Sequence, residues 1–144
     1  MPGQRPTPSG AGNTVGIASQ ILPINVRIDG LTQVPLFTAS QRMVLENIVV
    51  RFNAVNGTAL TGHIARVANG VALTTNTDVT AANGINFNAG ANTNVVPAFI
   101  TGANGPTENI VEAGETVILE LNTAAATVAA RLATVTFEIT NKIN

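Results

Sequence analysis

Along the last part of the chain polar and apolar residues alternate with a period of two. Ala133, Val135, Phe137 and Ile139 fall on one side of an extended strand, and Thr134, Thr136, Glu138 and Thr140 on the other. Strict period two means one buried and one wet face, which is the mark of an antiparallel sheet. A second strand is predicted where Val117, Leu119 and Leu121 alternate with Thr116, Glu120 and Asn122, although Ile118 breaks the polar side. Met43 to Asn53 is rich in β-branched and aromatic residues, with Ile48, Val50 and Phe52 on one face and Arg51 and Asn53 on the other. Asn25 to Ile28 reads as a strand running into a turn at Asp29-Gly30, and Ala59 to Val67 as another strand. Asn56-Gly57 and Asn69-Gly70 lie between apolar runs, the sequence signal of a type I′ hairpin turn. Together they predict a three-stranded meander that ends in Val71 to Thr75.

The stretch from Asn76 to Asn94 is crowded with Asn, Thr, Gly and Ala and reads as a loop, with a short strand at Ile85 and Phe87. Strand character returns over Asn94 to Thr101, where Pro97 argues for an edge position. Turns are expected at Asn104-Gly105-Pro106 and at Glu112-Ala113-Gly114-Glu115. The one helix candidate is the Ala-rich stretch Thr123 to Leu132, equally readable as a small-residue connector. Seven to nine short strands at regular spacing predict an all-β chain: a single antiparallel β-sandwich, jelly-roll-like in topology. Residues 1–20, with prolines at 2, 6 and 8 and glycines at 10, 12 and 16, read as an extended N-terminal arm ahead of a sandwich domain over 21–144. The arm reads either as a frayed tail or as a segment that orders on a neighbouring subunit, and the aliphatics Ile17, Ile21, Leu22 and Ile24 favour the second slightly.

Composition narrows the function. Charged residues are 10% of the 144, against about 25% in a typical soluble domain, so the surface is largely amide and hydroxyl and suits lasting contact with other subunits. The chain has five Phe and no Trp or Tyr, which weakens glycan platforms and single-strand nucleic-acid sites built on stacking. Net charge is −1 and Lys142 is the only lysine, leaving no basic stripe for a phosphate backbone. The longest apolar runs, such as Ile48-Val49-Val50, are far too short to span a bilayer as helices. With no cysteine, disulfides and thiolate metal sites are excluded. The first residues lack an apolar signal core, so release by lysis or inside a particle is expected rather than export.

No set of residues declares catalysis. His63 is the only histidine, and a zinc site around it would need carboxylates from distant segments. Glu108, Glu112 and Glu115 cluster around one turn with Glu120 beyond, which reads as a solvated acidic turn rather than an acid–base pair. Asp78 sits in a segment only superficially like a calcium loop, because the later ligand positions are Ala82, Gly84 and Asn86. No nucleophile elbow, Walker loop or dinucleotide fingerprint appears. No enzyme activity, cofactor or metal is expected.

Three segments carry a likeness to a known family: Pro35 to Leu45 (PLFTASQRMVL), Val111 to Leu119 (VEAGETVIL) and Ala133 to Ile139 (ATVTFEI). Their order resembles that of small β-sandwich virion proteins of tailed bacteriophages, especially capsid decoration (cement) proteins, over about residues 30 to 140. The resemblance implies a homotrimer made in the host cytoplasm and seated on the outer capsid surface. Its partners would be the major capsid protein and other copies of itself, with N-terminal segments gripping the shell and neither nucleic acid nor membrane involved. The expected contacts are Arg5, Ile17, Ile21, Ile24 and Arg27. The alternative is a receptor- or glycan-binding head-fibre or tail-fibre module acting through the Asn76–Asn94 loop.

Overall fold

The computed structural model describes residues 19–28, 30–53, 60–87, 90–122 and 132–141. The strands are β1 (Ser19–Arg27), β2 (Gln33–Thr38), β3 (Met43–Phe52), β4 (Thr61–Val67), β5 (Thr77–Asp78), β6 (Ile85–Asn86), β7 (Asn94–Val95), β8 (Thr101–Gly102), β9 (Gly105–Pro106), β10 (Ile110–Val111), β11 (Thr116–Leu121) and β12 (Leu132–Asn141). One sheet runs β1-β12-β3-β10 with β7 also on β3; the other runs β2-β11-β4-β5 with β6 also on β4; β8 and β9 form a hairpin. Every pairing is antiparallel. First strand pairs with last, second with second-to-last, β3 with β7 and β10, and β4 with β5 and β6. This is one long hairpin rolled into a barrel-like sandwich, the jelly roll. The all-β sandwich read from the sequence is therefore the fold observed.

Alternation decides which side chains meet between the sheets. Ala133, Val135, Phe137 and Ile139 of β12 and Ile48, Val50 and Phe52 of β3 are buried, while Arg51 stands exposed. A β-bulge between Glu138 and Ile139 shifts the register against β3 and leaves both Glu46 and Asn47 exposed. Four of the five phenylalanines lock the layers together. Phe37 of β2 meets Phe137 of β12 edge-on, with ring centroids 5.2 Å apart, and Phe52 meets Phe87 at 5.2 Å. The first pair joins the two sheets, the second joins β3 to Phe87 just past β6, and both add to the burial of their rings.

Several expectations change. β3 and β4 lie in different sheets, so the predicted meander is not formed, and 71–76 holds no strand. Of Asn69-Gly70 only Gly70 takes a positive φ, +78°, with Val71 N–H donating to Ala68 O at 3.1 Å. That is the sign pattern of a type II turn, which carries the chain over the outer face of the second sheet instead of back along β4. There Leu73 packs on Ala65, Val67 and Ile118, which explains the apolar residue on the polar side of β11. The predicted loop 76–94 supplies Val79, Ile85 and Phe87 to the core, and its short strand is β6. Sequence inspection missed β2. β1 begins at Ser19, and residues 1–18 of the expected arm lie outside the described residues. Asn56-Gly57 and the helix candidate up to residue 131 lie outside the described residues; Leu132 opens β12.

The two long edge strands each carry a proline, Pro23 in β1 and Pro35 in β2. Alternate residues of an edge strand point their N–H away from the sheet, and only there is proline's missing donor harmless. Such prolines also blunt an edge against pairing with another chain. Gly62 is required for a different reason. A Cβ at this position would lie 2.5 Å from the backbone oxygen of Glu120 and 3.1 Å from Phe87.

Phe137→Ala should cost about 3–5 kcal/mol in denaturant unfolding, and Gly62→Ala about 2 kcal/mol because the clash is with backbone. Val96→Ala, at a side chain 61% exposed, should stay within about 0.5 kcal/mol.

Candidate functional site

β1 sorts the expected contact residues by alternation. Ile21, 63% exposed, and Arg27 stand on its outward face, whereas Ile24 turns inward and is partly buried against the core with Leu22 and Val26. Arg5 and Ile17 lie outside the described residues. Ile21 and Arg27 thus share the outer face of the first sheet, and Ile24 fastens β1 to the layer beneath.

The glutamates around the 112–115 turn are structural clamps. Arg66 donates from Nη2 to Glu108 Oε2 at 2.6 Å and from Nη1 to Glu115 Oε1 at 2.8 Å, with Nε reaching Glu108 O at 3.3 Å. Burial alone would lower the Arg66 pKa, but its bond to Glu108 and the charge of Glu115 outweigh burial and raise it. Glu115 also accepts from its own turn at Glu112 N–H, 2.9 Å away, while Gly114 takes the positive φ of +89°. Arg42 approaches Glu112 at 3.2 Å without hydrogen-bond alignment at Nε, so this contact is Coulombic only. Arg66 was not singled out from the sequence, because both partners lie more than forty residues away.

His63 does gain distant carboxylates. Its Nε2 lies 2.9 Å from Asp78 Oδ1 and 3.4 Å from Glu120 Oε1, neither aligned as a hydrogen bond. Glu120 is held by Asn76 Nδ2 at 2.6 Å and Gln33 Nε2 at 3.3 Å. This polar row ties β2, β11, β4 and β5 across the outer face of the second sheet. Among the described residues no group of three His, Cys, Asp or Glu is placed to hold a metal ion. The row is a brace, and Asp78 belongs to it rather than to a calcium loop.

The outer face of the first sheet has no covering loop like the one Leu73 belongs to on the other side, among the described residues. Three strands form it in register. Asn25, Thr134 and Arg51 make one row, Pro23, Thr136 and Val49 the next, and Ile21, Glu138 and Asn47 a third. Thr134 donates to Asn25 at 2.7 Å, Ser19 to Glu138 at 3.2 Å and Thr140 to Glu46 at 2.8 Å. At the Arg51 end an open cavity of about 220 Å³ is bounded by Asn25, Phe52, Leu132 and Thr134. This face is hydroxyl-rich and partly apolar.

No family model and no curated protein sequence matches this chain. In three dimensions it is similar to a chain of the cyanophage Pam1 capsid asymmetric unit, with a TM-score of 0.56 and 13% identity over 87% of this chain and 86% of that one. At that identity the likeness shows a shared fold. A chain in the structure of infectious bursal disease virus, Gt strain, aligns with a TM-score of 0.35 and 13% identity over 88% of this chain and 37% of that one, too loosely to carry an argument.

The clamps differ in a measurable way. Arg66→Met should lower unfolding free energy by about 2 kcal/mol, because two carboxylates lose aligned partners. Arg42→Met should cost less than about 1 kcal/mol, since its partner Glu112 is 57% exposed.

Proposed function

We propose that this chain is a non-enzymatic virion structural protein that decorates and stabilises a phage capsid by binding the shell as an oligomer. One observation carries the reading. A single jelly roll matches, over nearly the full length of both chains, a chain described as part of a cyanophage capsid asymmetric unit. The organisation of the surface supports it. The phenylalanines serve the core: Phe37, Phe52, Phe87 and Phe137 pair inside it, and Phe99 is partly buried against it. A stacking platform for sugars is therefore missing from the described surface, and the glycan-binding alternative gains no support.

The partner on this reading is the major capsid protein, and the location is the outside of the shell. A homotrimer is the oligomer that the family resemblance implies. Arg5 and Ile17 in the arm supply contacts to the shell, Ile21 and Arg27 at its base supply contacts to a neighbouring subunit, and Ile24 anchors the strand from which the arm departs. Each contact is small. Repetition over a lattice raises the effective concentration of every further contact, so weak individual attachment becomes strong collectively.

Removing residues 1–18, which leaves the β1 ladder complete from Ser19, separates arm from fold. Attachment to shells from the virus that encodes the chain should fall by about tenfold or more, read by co-sedimentation, while the thermal midpoint stays unchanged. Undiminished attachment of the truncated chain would sink the arm's role. Failure of the intact chain to co-sediment would sink the decoration reading itself.

A further inference from the structure

The charges of this charge-poor chain are not scattered. Arg66 is held by Glu108 and Glu115, Arg42 faces Glu112, and Asp78 and Glu120 face His63. The other charged side chains among the described residues are Arg27, Arg51, Glu46 and Glu138, and all four stand on the open face of the first sheet. They are sorted by sign. Arg27 and Arg51 lie at the end where β12 begins, Glu46 and Glu138 at the other, and the row between them, Pro23, Thr136 and Val49, carries no charge. Thr134, beside Arg51, and Glu138 are four residues apart on β12, a separation of about 14 Å.

We propose that this face is a two-fold contact between two copies of the chain. Two identical sheets packed face to face are related by a dyad lying between them. A dyad along the strands sets Glu end against Glu end and Arg end against Arg end. A dyad across the strands reverses one copy, so that β3 faces β3 with Arg51 opposite Asn47 of the partner subunit and beside the partner's Glu46, and the reciprocal pair forms by symmetry. The sorted charges select this second arrangement and reject the first. Apolar shape agrees with charge. With the dyad over the central row, exposed Ile21 lies opposite Asn25 of the partner subunit, at the cavity that Asn25 and Leu132 border, and can fill it. Edge-to-edge growth is meanwhile blocked by Pro23 and Pro35. Three strands about 4.8 Å apart and nine residues long make a patch of about 15 by 30 Å, at the small end of specific interfaces, so the dimer is concentration-dependent rather than permanent.

The test uses free, full-length protein, so its failure leaves capsid attachment untouched, and failure of attachment leaves this contact untouched. Sedimentation velocity over a concentration series should show reversible pairing through this face, of single chains or of the proposed trimers, that weakens at about 0.5 M salt. Arg51→Glu brings a carboxylate beside the partner's Glu46, and Glu46→Arg brings a guanidinium beside the partner's Arg51, so each variant sets like charges together across the dyad. Each variant alone should associate about tenfold or more weakly, and an equimolar mixture of the two should recover or exceed wild-type association. If either variant fails to fold, Arg27→Glu and Glu138→Arg each cancel the charge of one end of the face and weaken the same contact. The contact is overturned if mass is the same for wild type, both variants and the mixture, or if the variants weaken and the mixture does not recover.

Discussion

Ser19 opposes Thr140 at one end of the β1–β12 ladder and Arg27 opposes Leu132 at the other, so the two ends of the described chain must meet before the first sheet exists. Every other pairing is nested inside that one. β2 joins β11, β3 joins β7 and β10, and β4 joins β5 and β6, and the rolled hairpin closes when β12 also takes β3 and β11 also takes β4. Closing so long a loop costs only slowly growing chain entropy. It delays the reward, however, and topologies of this kind fold slowly. The compensation lies in what β12 buries once it is seated. Ala133, Val135 and Phe137 become fully buried, with Phe137 edge-on to Phe37 of the facing sheet.

The wet-and-dry strands were legible in the sequence because one of their faces meets solvent. β3, β11 and β12 announced themselves through Ile48, Val50, Phe52, Val117, Leu119, Val135 and Phe137. β2 was not legible. Pro35 interrupts it, and a register shift opposite Val117 and Ile118 breaks its alternation. Asn69-Gly70 misled because a dipeptide states a turn without stating where the chain goes next. Here the turn leads over a sheet that is apolar on both sides at Ile118. The site was legible in half. Period two placed Arg51 and Glu138 on wet faces, but only the tertiary register shows that they share one face. Ile24 counted as an arm contact because its neighbours are aliphatic, yet alternation within β1 turns it to the core. The partners of Arg66 and His63 come from segments joined only by the roll, and nothing local predicts them.

Edges and faces divide the work of such a domain. A sandwich with long open edges can add strands without limit. The prolines of β1 and β2 remove donors along those edges, and the remaining edge strands are two residues long. Association is therefore directed to the faces. One face is thickened by the 71–76 segment and braced by the His63, Asp78 and Glu120 row. The other is open among the described residues, with the hydroxyls of Ser19, Thr134 and Thr140 already bonded within it, so a partner need not satisfy those.

A face that pairs with itself about a dyad saturates at two copies, whereas a face complementary to some other part of the molecule propagates. Sorting Arg27 and Arg51 from Glu46 and Glu138 makes this one face self-complementary in a single orientation, which is the simplest way for so few charges to define a closed contact. Small area then becomes useful. A contact too weak to hold free protein together permanently leaves the chain able to seat one copy at a time, and it strengthens only when neighbouring copies are held at lattice spacing. On the decoration reading, specificity resides in charge order and shape, and strength resides in the number of copies.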